Sequence, residues 1–308
     1  MEMLKKTILL LIILPGLALA QYERPGSTDA QFLKIGVSAR AAGMGDAYIA
    51  IVDGAEAAYY NAASLARING TDLVFTHTRW FAGINHDFVA AARTFGRVGT
   101  FGIALTALYT DEMKVRTPLR PDGTGETFYS SNIRVGLSYA RYLTDRVTFG
   151  GSINYINLSL YSDFKADAVS MDIGVLYVTN FRNFRFGMKI ANFGSEIKFV
   201  NESYPLPTNF TFGIAINAID AANQKLLVSF SALKPNDGQP LGQVGTEWNY
   251  QNLLLLRVGY KINHDIARYS FGAGVKLNIS NYNFRFDYSY SDFSLLGQAH
   301  RLGIGFSF

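Results

Sequence analysis

The chain has no cysteine among its 308 residues, which excludes a disulfide framework, thiol catalysis and cysteine-ligated metals. Beyond the N-terminus no run of about 18 uncharged apolar residues occurs, so crossing a membrane with helices is excluded. Its four histidines, His77, His86, His264 and His300, are scattered and lack an H-x-x-x-H spacing, so no metal site is expected. Lysine and arginine do not cluster, and a formal charge of +4 gives no reason to expect nucleic acid. Gly43-Met44-Gly45 has no third glycine at dinucleotide spacing and no strand before it. No serine sits in a nucleophile elbow. In His86-Asp87 and His264-Asp265 the two residues would point to opposite faces of a strand. Neither catalysis nor a cofactor is therefore expected.

What the chain does have is apolar and aromatic. Hydrophobic residues make up 49% against 17% charged, and aromatics reach 14%, which suits the girdles of a membrane barrel. Composition alone would also allow a secreted β-sandwich. Residues 1–20 read as a signal peptide, with Lys5 and Lys6, an apolar run from Ile8 to Leu14, and Ala18-Leu19-Ala20 as the cleavage signal.

From about residue 71 to the end the pattern alternates with period two. Phe101, Ile103, Leu105, Ala107 and Tyr109 share one face, with Gly102, Ala104 and Thr106 on the other. Tyr282, Phe284, Phe286, Tyr288 and Tyr290 likewise oppose Asn283, Arg285, Asp287, Ser289 and Ser291. The second face mixes small residues with isolated charges, which fits a crowded wet lumen better than open solvent. About 14 strands of roughly ten residues can be counted, the length a tilted strand needs to cross a bilayer. Short turns fall near Gly96-Arg97, Thr144-Asp145, Asn180–Asn183, Asp220–Asn223, Gln251-Asn252 and Ser280-Asn281. Longer loops are expected at 110–127, 161–167, 194–207, 234–240, 263–267 and 292–298. Such parity of short and long connections is expected of a barrel and not of a sandwich. The last strand ends on Phe306 and Phe308, aromatic residues placed like the C-terminal assembly signal of outer-membrane barrels.

The expected fold is therefore all-β: a transmembrane antiparallel β-barrel of about 14 strands over 71–308. A short helical N-terminal plug within 21–70 would precede it, in the outer membrane of a Gram-negative bacterium. Residues 21–31 read as a loose leader. The stretch Phe32–Leu65 is rich in alanine and glycine, and Met44, Ala47, Tyr48 and Ile51 recur at helical spacing before the turn signal Asp53-Gly54. Two short helical pieces are expected, placed inside the barrel or packed at its rim. A 14-strand lumen is too wide for wall side chains alone to fill, so an internal plug is physically reasonable. The inward charges Arg134, Asp172, Arg185, Lys189, Glu247, Arg257, Lys261, Lys276, Arg285, Asp287 and Arg301 could pair with Asp46, Asp53 and Glu56 of that segment.

The same stretch carries a family resemblance. Arg40, Gly43, Met44, Gly45, Asp46, Asp53, Asn61, Ala62, Ala63 and Leu65 lie in a pattern of about 35 residues that resembles the N-terminal segment of the PorV/PorQ family, itself related to FadL-type outer-membrane transporters. Ala62 stands where that family usually has proline, and Ser64 where it has glycine. The resemblance implies a role in type IX protein secretion, with secretion-system proteins and the C-terminal domains of exported cargo as partners. Loops 110–127 and 194–207, carrying Thr117-Pro118-Leu119 and Tyr204-Pro205-Leu206-Pro207, would be the contact surface. The rival expectation is a FadL-like channel for a hydrophobic ligand. That reading needs an apolar pocket and a strand kink, for which Gly150-Gly151 is a candidate.

Overall fold

The computed structural model describes residues 24–308 apart from 162, 163 and 265, so the expected signal peptide at 1–20 lies outside the described residues. Fourteen strands close into one antiparallel barrel. In chain order they are β1 (Thr71–Arg79), β2 (Ile84–Thr94), β3 (Thr100–Thr110), β6 (Ser131–Tyr142), β7 (Val147–Tyr161), β8 (Phe164–Val178) and β9 (Arg185–Gly194). They continue as β12 (Asn209–Asp220), β13 (Gln224–Pro235), β14 (Leu241–Tyr250), β15 (Leu254–Ile262), β16 (Tyr269–Ile279), β17 (Tyr282–Asp292) and β18 (Gln298–Ser307). Two small ribbons sit in the longest loops, β4 (Met113–Lys114) with β5 (Thr127–Phe128), and β10 (Ile197–Lys198) with β11 (Ser203–Tyr204). The last strand closes on the first, pairing Phe75 with Ile304 and His77 with Leu302.

Alternation in the sequence becomes alternation across the wall. Phe101, Ile103 and Leu105 lie exposed on the outer surface, while Thr100, Gly102, Ala104 and Thr106 are buried inside. Large exposed apolar side chains cover the outside on every barrel strand from β1 to β18, a surface that water would not tolerate and lipid satisfies. Among the described residues no helix is long and apolar enough to cross a membrane; the strands do the crossing. The chain is a transmembrane barrel of the outer-membrane kind. Its short-turn end is periplasmic by the usual parity of such barrels.

Two expectations about connections change. The loop expected at 161–167 is largely strand, because β7 and β8 each run for 15 residues and pair as far as Tyr161 with Phe164. Leu158, Ala166 and Ala168 are buried there, so the strands stand above the membrane band and roof an apolar cluster. The leader expected to be loose at 21–31 is tied down from Thr28 onward, through Thr28 and Gln31 to Asp237 and Asp29 to Pro205, with Ala30 buried; Phe32 and Leu33, which follow it, are buried with Ile156, Ile197 and Leu206.

The plug lies within the barrel. It consists of short turns of helix at Gln31–Lys34, Ala39–Gly43, Gly54–Glu56, Ala57–Tyr60 and Ala62–Arg67. Met44–Val52 is not helical, contrary to its spacing. Gly45 and Asp46 both adopt left-handed backbone (φ 64° and 62°), which breaks the helix after Gly43. Met44, Ala47, Tyr48 and Ile51 are all fully buried, because a segment enclosed by a barrel is buried on every side. An apolar position there carries no information about period.

Candidate functional site

The wall is thinned where the plug touches it. Gly150, Gly187, Gly245 and Gly259 face inward on β7, β9, β14 and β15, directly against plug backbone. A Cβ at Gly150 would lie 2.5 Å from the carbonyl carbon of Ala62, and one at Gly187 would lie 2.7 Å from the carbonyl oxygen of Ile49. Gly43 returns the contact from the plug side, its own Cβ position falling 2.9 Å from the Cα of Gly272. Gly150-Gly151 is therefore a fitting site and not a kink: β7 keeps its register with β6 and β8 through both residues. Asn61 closes this seam. Its side-chain oxygen accepts from the Ala63 amide (3.2 Å), while its side-chain nitrogen donates to the carbonyls of Ile49 (3.3 Å) and Val175 (3.2 Å). Ala62, Ala63 and Leu65 follow as buried residues of the next turn. Ala62 is the first residue of that turn, where proline is accepted because the N–H is dispensable, so alanine serves.

Charges hold the plug as well. Arg40 donates to Glu247 of β14 through Nε and Nη2, both at 2.7 Å, and to both Asp53 oxygens at 2.8 Å. Arg257 donates to the same Glu247 (2.6 Å) and to Asp287 (2.7 Å). Arg285 bonds Asp53 (3.1 Å) and Glu56 (3.0 Å) and sits 2.7 Å from Asp287. Three arginines and four carboxylates thus form one network across the plug–wall boundary, with Tyr48 and Ser38 donating to Glu56. Ions taken out of water to this depth need such partners. A second group joins Asp172 to Arg134 (2.9 Å) and Lys189 (3.6 Å) around Tyr59, whose carbonyl accepts from Lys189 and whose ring lies 4.7 Å under the Arg134 guanidinium. Lys261 donates to Asp46 at 2.5 Å.

Three of the sequence-marked charges stand apart. Arg301 lies under the Trp80 ring (5.1 Å) and donates to Ser291 (3.3 Å). Arg185 and Lys276 line small cavities on the periplasmic side of the plug, without an ion-pair partner among the described residues. Phe306 packs outside on Tyr282 and Phe284, with Phe308 beside it at the barrel's end. His86 turns inward and Asp87 outward, where Asp87 meets His77 at 2.6 Å and accepts from Tyr109 at 2.9 Å.

Above the plug, toward the long loops, is a cavity of about 710 Å³. Leu33, Ile35, Ile49, Tyr60, Leu233 and Leu241 give it an apolar lining. Lys34, Arg134, Lys189 and Lys261 border it with Asp46 and Asp237, so cations outnumber acids on its rim. The N-terminal leader forms one side. Asp237, in the loop after β13, accepts from Thr28 (2.5 Å), Gln31 (3.2 Å) and Lys34 (2.6 Å), and Asp29 donates its amide to the carbonyl of Pro205 (3.1 Å). Burial works to raise the Asp237 carboxyl, but the three donors outweigh it and hold the group below the usual carboxylate range.

The same cavity reaches an irregular part of the wall. Between β8 and β9 the register slips at Asp172, so that Ala191 and Asn192 of β9 oppose one residue. Asn192 has left-handed backbone (φ 59°), its amide donates to Asp172 (2.8 Å), and its side chain donates to the Pro207 carbonyl (3.2 Å). The β9–β12 ladder ends at Ala191–Asn209. The wall irregularity thus lies in β9 and not at Gly150-Gly151 of β7.

No known family's sequence profile matches the chain, and no curated protein matches it. Solved structures do. The Pseudomonas putida toluene transporter TodX superposes with a TM-score of 0.61 at 14% identity, covering 88% of this chain and 98% of its own. The Ralstonia pickettii toluene transporter TbuX gives 0.59 at 16% identity, over 88% and 97%. A Pseudomonas aeruginosa FadL homologue gives 0.51 at 10%, over 88% and 97%. The fold is FadL-like. At these identities the likeness concerns architecture: a 14-strand barrel, closed and antiparallel.

Proposed function

We propose that this barrel is a FadL-like conduit that takes small hydrophobic molecules, including ones with an acidic or polar end, from the outer face into the cavity above the plug. The observation that carries the reading is that cavity: about 710 Å³, apolar along the leader and plug, cation-rich at its rim, and bordered by the β9 bulge. Its size falls within the roughly 300–1,000 Å³ of small-molecule sites. The plug blocks a straight axial path, so the bulge is the exit we assign, with Asn192 as the group that closes it. The solved neighbours that share the fold are hydrocarbon channels, which supports transport. The secretion role implied by the PorV/PorQ resemblance draws no support from these neighbours and stands second.

The test is binding. Titrating a medium-chain fatty acid and a monoaromatic hydrocarbon into the detergent-solubilised protein should give saturable binding to wild type. Leu233→Trp, which adds bulk to the cavity from β13, should weaken it at least tenfold without loss of the folded barrel. Equal binding by both proteins would overturn the assignment.

A further inference from the structure

A second concavity, of about 780 Å³, lies on the outer wall, low on the barrel near the short-turn edge. Its floor exists because two outward positions are small, Ala91 on β2 and Gly151 on β7. The register sets Gly151 between Tyr139 of β6 and Ile173 of β8, so one side chain is missing from a row of large ones. Leu137 and Ile153, directly opposite each other, stand up as the flank toward the membrane centre. This groove faces lipid and shares nothing with the cavity above the plug.

Two exposed outward arginines stand at the periplasmic end of the groove, Arg93 in its lining and Arg141 just beyond it. Arg93 lines it, with its guanidinium 5.7 Å from the Phe95 ring, and sits opposite Phe101, which in turn sits opposite Tyr139. Arg141 follows two residues after Tyr139 on the same face of β6. Two strand spacings, about 10 Å, and a two-residue step along β6, about 7 Å, separate the two backbones, a diagonal of roughly 12 Å that two extended arginine side chains can span to meet one group. Neither arginine has an ion-pair partner among the described residues. An apolar groove alone prefers no particular lipid, since lipid tails are as apolar as its walls. A paired guanidinium site does, because arginine holds a phosphate through two parallel hydrogen bonds.

We propose that this groove holds one phospholipid of the periplasmic leaflet with an acidic headgroup, its phosphate between Arg93 and Arg141 and an acyl chain laid over Gly151 and Ala91. The Tyr139 hydroxyl, which donates to the Val98 carbonyl (2.6 Å), fixes the ring that separates headgroup from chain. The arginines select the headgroup and the missing side chain at Gly151 admits the tail.

Native mass spectrometry tests this with the purified protein and an equal mixture of phosphatidylglycerol and phosphatidylcholine of identical chains. Wild type should retain one phosphatidylglycerol at least fivefold over phosphatidylcholine. The double variant Arg93→Gln/Arg141→Gln should bring the two to parity. Gly151→Leu should lower retention of both at least fivefold while both arginines remain. These positions are on the exposed outer face, and heat-modifiable migration in a gel confirms the folded barrel in each case. Parity in wild type, or a preference that survives loss of both arginines, overturns the proposal.

Discussion

At the residue scale, inward glycine is where the plug is admitted. The sequence shows Gly102, Gly150, Gly174, Gly213 and Gly272 only as small residues on the polar face, and that alternation is legible without a structure. Which of them meet plug backbone is not, since contact depends on how an irregular segment lies in the lumen. Gly150→Val should force the wall against Ala62 and cost about 2 kcal/mol, the usual scale of overpacking. Gly305→Ala, facing only the Arg285 side chain at ordinary distance, should be nearly silent. Unfolding in urea from detergent measures both, and equal effects would contradict the close fit. Glu247→Gln probes the ionic side. It removes the acid shared by Arg40 and Arg257 and leaves buried positive charge without compensation, at a cost of about 3 kcal/mol.

At the scale of elements, the strands and the presence of a plug were readable, and the course of the chain inside the plug was not. A strand in this wall has one face toward lipid and one toward the lumen, so polarity alternates and period two survives. Met44–Val52 has no such two-sided environment, and its apparent helical spacing reflects burial all round. Strand ends were also hidden where β7 and β8 continue past the membrane, because their extra inward residues, Leu158, Ala166 and Ala168, meet loop and leader in place of lumen water. Nor did anything in the loop after β13 mark Asp237 as the leader's anchor, since its partners are some two hundred residues away. That clasp has a pH signature. The Asp237 carboxyl sits below its usual value of 3.8 in the folded state, so its contribution is present above that pH and is lost as the pH falls below it. The protection of residues 24–34 against hydrogen exchange, taken relative to the intrinsic rate at each pH, should therefore be high at neutral pH and fall as the pH drops below about 3.8. In Asp237→Asn that protection should already be low at pH 7, with no further change on acidification. Exchange in the variant that matches wild type at every pH would rule the clasp out.

For the whole molecule, fourteen strands set the problem that the plug solves. Wall side chains cannot fill so wide a lumen, and an open pore would pass water and ions. Filling the lower half with an ion-paired plug leaves a roomy space above it, bordered by leader, loops and the β9 bulge. In the transport reading we propose, Asn192 is the residue that closes the exit at the bulge. Asn192→Ala removes the bond to Pro207 while keeping the fold, and should change the rate of solute passage with little change in binding. The number of strands and the parity of turns were legible in the sequence. The bulge was not, because one extra residue in β9 leaves both neighbours apolar or small and breaks no visible motif.

The most direct measurement is uptake. Proteoliposomes carrying the barrel, and matched liposomes without it, would be given a radiolabelled monoaromatic hydrocarbon and a medium-chain fatty acid, with Leu233→Trp in parallel. Saturable accumulation by the wild-type barrel, several-fold above the empty liposomes and lost in Leu233→Trp, is the predicted result. Uptake no faster than that of empty liposomes, for both solutes, would contradict the transport account.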